Sequence, residues 1–198
     1  MICPAEAIGD FSLHKSIAME KTIIAAAVTC LLTFGNLRAQ TLKDEEVRSQ
    51  LLKDWERAKA YTVSYLNTVP PDKYSFRPTD SIKNFAQQML HLAQSNVNVI
   101  APIAGEPNIF SNPMLQDSKT AQSKDSVMYY VTASYDLVID GIKKMNTTRF
   151  NEKVKLYNWE ETRYVWLLKA FEHQTHQRGQ TTIYIRLMGL HPPQEQLF

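Results

Sequence analysis

The stretch Trp159-Glu-Glu-Thr-Arg-Tyr-Val-Trp-Leu-Leu-Lys-Ala-Phe-Glu-His173-Gln-Thr-His176-Gln177-Arg-Gly-Gln180-Thr-Thr-Ile-Tyr-Ile-Arg-Leu-Met188 decides the fold. It contains one glycine and no proline, so nothing stops a helix before Gly189 and Pro192-Pro193. Apolar residues cover most of its circumference as far as His173, which predicts a helix in the middle of a bundle. Asn158-Trp-Glu-Glu161 has the spacing of a capping box, in which the first and last residues satisfy each other's free amides, so the helix is expected to open there.

Three further segments upstream repeat apolar residues at steps of three or four. The first spans residues 42–69, with Val47, Leu51, Trp55, Ala58, Thr62 and Tyr65 on one stripe, and ends at Pro70-Pro71. The second carries Ile82, Phe85, Met89, Leu92, Asn96 and Val99, with Thr79 or Ser81 as its cap; Pro102, Gly105 and Pro107 then predict a long loop. The third begins between Ser123 and Asp125 and carries Val127, Val131, Tyr135, Val138, Ile142 and Met145. Long helices with few strand signals predict an all-α fold, an antiparallel four-helix bundle, with Trp55, Trp159 and Trp166 in its core.

The chain has 198 residues, 44% of them apolar, and a net charge of only +2. No block of Lys and Arg forms a basic face, so no nucleic-acid partner is expected. There is no phosphate-cradling glycine loop, no dinucleotide fingerprint and no convincing Ser/His/Asp order.

The N-terminal region reads as a targeting segment. Lys21 precedes the apolar run Thr22-Ile-Ile-Ala-Ala-Ala-Val-Thr-Cys-Leu-Leu-Thr-Phe34, and Arg-Ala39-Gln40 follows. A basic residue, a short apolar run and a small residue before a polar start are the parts of a secretory signal, with cleavage expected after Ala39. The run is short of the roughly 20 apolar residues that span a bilayer, so no stable membrane span is expected after cleavage. Two rival readings are an uncleaved N-terminal anchor, opposed by the short run, and a lipoprotein signal using Cys30, opposed by the apolar Leu31, Leu32 and Phe34 beyond it. Met19 sits where a conventional signal would start, which makes residues 1–18 an upstream extension. The domain of residues 40–198 is therefore expected in the periplasm or secreted from a bacterium. Cys3 and Cys30 both leave with the signal, so that domain has neither a disulfide nor a cysteine nucleophile.

Within the C-terminal helix, Phe171-Glu-His173-Gln-Thr-His176-Gln177-Arg178-Gly179-Gln180 is followed by Tyr184-Ile-Arg186-Leu-Met-Gly189 and then by Pro192-Pro193. Upstream, Tyr74-Ser-Phe76-Arg-Pro78 precedes His91 in Gln-Met-Leu-His-Leu. Together these pieces resemble the DinB-like family, whose last helix carries His-x-x-His-His-Arg-Gly-Gln and a Tyr-x-Arg-x-x-Gly tail. The resemblance runs from about residue 42 to the C-terminus. It implies a divalent metal ion, zinc or nickel, held by one histidine of the second helix and two of the fourth. It also implies a homodimer, and a relation to bacterial thiol S-transferases.

By register, the implied ligands are His91, His173 and residue 177. Residues four apart lie on one helical face, and a third ligand from another helix leaves an open coordination position. Position 177 is Gln, a neutral and weaker ligand than imidazole, which lowers the expected affinity. His176 and Glu172, also four apart, are the weaker alternative, about 100° around the helix. Arg178 and Gln180 follow the family motif and are expected mainly to pack. The implied activity is that of a metal-dependent hydrolase or thiol S-transferase on an unknown small molecule. The alternative is a non-enzymatic helical bundle that binds a ligand or partner, with a degenerate metal site.

Overall fold

The computed structural model describes residues 43–111 and 114–198; the expected signal segment and the boundary after Ala39 lie outside them. Four helices carry the fold: α1 (Asp44–Thr68), α2 (Phe85–Ala104), α3 (Lys124–Lys144) and α4 (Arg163–Leu187). The all-α four-helix bundle expected from the sequence is present. A two-stranded antiparallel hairpin, β1 (Lys153–Leu156) and β2 (Trp159–Thr162), precedes α4.

Local chemistry sets the helix ends. Asp44, Glu45 and Glu46 occupy the first turn of α1, where carboxylates suit the positive end of the helix dipole. Asn84 caps α2 by accepting from Gln87 N at 2.7 Å, and the Gln87 side chain accepts from Asn84 N at 3.0 Å. That reciprocal pair replaces the expected caps at Thr79 or Ser81, and Ile82 stays outside the helix and exposed. α2 also runs on through Pro102 to Ala104 before Gly105 stops it at φ 74°, a left-handed conformation open to glycine. α4 ends similarly: Gly189 has φ 77°, and Leu190 N reaches back to Ile185 O at 3.0 Å.

The expected start of the last helix moves most. Residues 153–162 form the hairpin, with Lys153 opposite Thr162 and Leu156 opposite Trp159. Thr162 is the cap, accepting from Val165 N at 3.2 Å. The capping-box spacing at 158–161 was therefore coincidental, and Trp159 is 69% exposed on a strand rather than in the core. Trp55 and Trp166 are buried as expected. The Trp166 indole donates to Val154 O at 2.9 Å, tying the hairpin to α4.

Side-chain pairs give the helix directions. Trp55 meets Phe171 and Tyr65 meets Thr182, so α1 and α4 run parallel. Lys124 reaches the end of α1 and Arg48 the end of α3, so those two are antiparallel. Asn84 bonds Gln122 and Asn96 bonds Ser134, so α2 and α3 are parallel, joined by the long connection from Gly105 to Ser123. α2 and α4 are antiparallel, and it is their interface that carries the histidines. α2 is the most enclosed helix, with thirteen of its twenty residues buried against nine of twenty-five in α4. The central position expected for the last helix belongs instead to α2, since Leu168, Ile183 and Leu187 of α4 face outward.

Trp55 anchors the core, fully buried with Tyr135 and Phe171 edge-on at 5.7 and 5.3 Å between ring centroids. Such edge contacts add about 0.5–1.5 kcal/mol beyond area burial.

Candidate metal centre

The loop before α2 fixes the register that delivers His91. Tyr74 is buried, donates to Leu66 O at 2.8 Å, and packs edge-on against Phe85. The carbonyls of Tyr74 and Phe76 accept from Ala86 N and Phe85 N, clamping the first turn of α2. The Tyr-Ser-Phe-Arg-Pro segment is thus a structural clip. From it, α2 projects Gln88 and His91, one turn apart, toward α4.

α4 answers with His173 and Gln177, also one turn apart. The rings of His91 and His173 meet edge to face with centroids 5.4 Å apart. An imidazole nitrogen lies about 2.0–2.1 Å from zinc, so two rings on one tetrahedral ion have centroids about 5 Å apart. The observed spacing fits that requirement. Gln177 is buried; its Nε2 lies 3.1 Å from His173 Nε2, and its Oε1 accepts from Gln88.

Both imidazoles are held toward the neutral form, which is the form that ligates metals. Burial lowers the pKa of His91 first, with the Lys83 cation adding to it. The Gln116 side chain acts the other way, although its buried Oε1 falls short of a well-formed hydrogen bond. For His173 burial again leads, followed by repulsion from His91 and His176.

The weaker alternative residues lie around the outside of α4. Glu172 is exposed and paired with Lys169 at 2.7 Å, which holds its carboxyl below the usual range. His176 is exposed and 2.7 Å from Gln180 Nε2. Among the described residues no three His, Cys, Asp or Glu side chains stand close enough to share an ion, because the third position is the amide of Gln177.

A cleft of about 270 Å³ opens beside His173, lined by Ser95, Val99, Tyr157, Trp166, Lys169 and Ala170. Its wall is mostly apolar, with one cation. Tyr157 reaches it from the hairpin turn, where its φ of 56° is left-handed and unusual for a bulky residue. Neither Tyr157 nor Gln116 had any local signal in the sequence, since loops and hairpin brought them here. Gln88 did: it lies three residues before His91, on the same face.

Arg178 turns away from this site. It is buried, donates to Gln174 Oε1 at 2.8 Å and Thr62 Oγ1 at 3.2 Å, and lies over the Tyr61 ring. Its role is interhelical packing, as expected.

Residues 39–197 match the DinB family. The chain belongs to the DinB family. Two solved DinB-like proteins share its fold. One, from Bacillus cereus ATCC 10987, is 16% identical with a TM-score of 0.62, covering 74% of this chain and 95% of its own. The other, from Bacillus subtilis, is 17% identical with a TM-score of 0.55, covering 75% and 96%. At such identities the likeness of these DinB proteins establishes the bundle and nothing about its chemistry. No curated protein matches the chain. Among the described residues of this DinB domain, no helix is long and apolar enough to cross a membrane.

Proposed function

We propose that this DinB protein binds a divalent metal ion, zinc or nickel, through His91, His173 and the carbonyl of Gln177, and acts from the cell envelope on a small molecule. The observation that carries the reading is the pair of neutral, half-buried imidazoles on facing helices, 5.4 Å between centroids at the edge of a cleft. The chemistry an ion supplies in such a place is acidification of water or a thiol at neutral pH. This suits hydrolysis or thiol S-transfer, the two reactions implied by kinship. The chain's own contribution is a water-poor wall, Val99, Trp166 and Ala170, with the Lys169–Glu172 pair at the rim. Export would separate the protein from cytosolic thiols, which favours hydrolysis of the two.

The test is the metal content of protein purified without a histidine tag, beside His91→Ala. About one equivalent of zinc or nickel, lost in the variant, supports the site. A protein that stays metal-free in excess ion removes it.

A second reading is favoured by the Gln177 amide, whose hydrogen bonds to His173 and Gln88 complete the site with no metal. In it the bundle is a non-enzymatic binder of a ligand or partner. A sharp gain of metal affinity in Gln177→His, from a parent that holds none, would select this reading. Ile183 and Leu187, exposed on α4, are where a homodimer would bury apolar surface, and light scattering measures it.

A further inference from the structure

Gln88 is the hub of the polar layer between α2 and α4. Its amide nitrogen donates both to Gln177 Oε1 and to Gln180 Oε1, the latter at 2.5 Å. Each of those glutamines turns its own nitrogen toward the imidazole one turn earlier. Gln177 Nε2 lies 3.1 Å from His173 Nε2, and Gln180 Nε2 lies 2.7 Å from His176 Nε2. Gln88 is 4% exposed, so water is no ready substitute for these partners.

A carboxamide has one donor end, with two N–H groups, and one acceptor end, with two lone pairs. With Gln88 donating twice, both partner carbonyls are used, and only N–H groups remain to face the histidines. His173 and His176 must then accept at Nε2 and carry their protons on Nδ1. The same positions satisfy a second arrangement. If Gln88 turns over, its carbonyl accepts from both partner nitrogens, and Gln177 and Gln180 show their oxygens to the histidines. Intermediate arrangements set like ends against each other, which at the buried Gln88 and Gln177 leaves polar groups unmatched. Gln88 and Gln177 therefore turn over together, and the exposed Gln180 follows through its bond to Gln88.

We propose that Gln88 is a positioning residue which sets whether Gln177 offers nitrogen or oxygen toward His91 and His173, and so closes or opens the site to a cation. The inference rests on the reading of His91, His173 and Gln177 as a metal site. In the closed arrangement an amide N–H occupies the His173 lone pair and faces any incoming cation with positive charge. In the open one the Gln177 carbonyl is a ligand oxygen. In the metal-free open arrangement His173 donates from Nε2 to the Gln177 oxygen, and a cation taking Nε2 would send that proton to Nδ1. Because Gln88 also holds Gln180, the state of the site is reported at His176, which is no ligand in this scheme.

The histidine tautomers of the metal-free full chain, read by long-range ¹⁵N–¹H NMR, test the coupling directly. Wild type is expected to show protons on Nδ1 of both His173 and His176. Gln88→Glu, whose side chain only accepts, is expected to move both to Nε2. Unchanged tautomers in Gln88→Glu, or a change at one histidine alone, overturn the proposal. Zinc added to wild type is expected to move the His176 proton to Nε2, and Gln88→Met is expected to abolish that remote response while leaving the fold unaltered by circular dichroism. A His176 response that persists in Gln88→Met also overturns it. Zinc affinity is expected to rise at least tenfold in Gln88→Glu, and the gain is expected to vanish when Gln177→His is added. A gain that survives Gln177→His reflects the new charge alone and counts against the proposal. If tautomers switch together but zinc binds neither protein, the metal reading itself is wrong and cation gating falls with it.

Discussion

Gly141 of α3 faces Ala104 of α2 so closely that a methyl group added to the glycine would stand 2.9 Å from the alanine Cβ. The contact draws the ends of two parallel helices together. Gly179, by contrast, has nothing within 4 Å of an added Cβ. Alanine normally stabilises a helix interior over glycine by about 1 kcal/mol. Gly179→Ala should show that gain, whereas at Gly141 overpacking of about 1–3 kcal/mol should outweigh it. Thermal denaturation of the two variants should therefore shift in opposite directions, and equal shifts would contradict the packing described.

Thr62, Tyr135 and Gln174 form a buried chain: Tyr135 Oη lies 2.8 Å from both Thr62 Oγ1 and Gln174 Oε1. Thr62→Val and Tyr135→Phe should each lower stability by about 1 kcal/mol, the net worth of a buried hydrogen bond. Since the two share one bond, the double variant should lose less than the sum. Strict additivity in urea unfolding would show that the bond contributes nothing.

Stability of the metal-free protein should fall in mild acid. His91 and His173 have pKa values lowered in the folded state, chiefly by burial. Below the ordinary histidine value of 6.5 the unfolded chain takes up protons that the folded chain refuses. Their contribution is complete above that pH and is lost as pH falls through the folded values. Unfolding free energies measured from pH 7.5 downward should show the decline beginning near 6.5, and His91→Phe should flatten it. A profile unchanged in that variant would mean the protons are bound elsewhere.

The left-handed backbone at Tyr157 makes a further prediction. Tyr157→Gly should relieve strain of about 1 kcal/mol or more, offset by loss of the ring from the cleft wall. Stability should hold or rise while affinity for any small molecule seated beside His173 drops. Loss of both together would place Tyr157 in the fold rather than the site.

Much of this was legible in the sequence because helices announce themselves by period. The stripes of α1 and α3 appear almost as written; the set His91, His173 and Gln177 comes from the family resemblance, and spacing of four places only the last two on one face of α4. The hairpin was hidden because Asn158 and Glu161 imitate a cap, while Lys153-Val-Lys-Leu156 alternates over too few residues to stand out. Asn84 with Gln87 carried a true capping signal, obscured by the apolar Ile82 just before it. The parallel pairing of α2 with α3 depends on where a long connection travels, and no residue spacing encodes that. Nor could spacing show the hydrogen bonds from Gln88 to α4, which depend on how two helices distant in sequence meet.

The hairpin stands apart from the bundle in one respect that matters beyond its shape. Its strands bond to each other, the Trp166 indole moors it to α4 from the side, and Val154 and Leu156 pack against the core, leaving the turn itself outside. The cleft beside His173 is therefore bounded by a replaceable part. Changes at Tyr157 and its neighbours can alter which molecules are admitted while Trp55 and the core around it stay untouched. A directed library placed at this turn would explore new specificities while leaving that core in place.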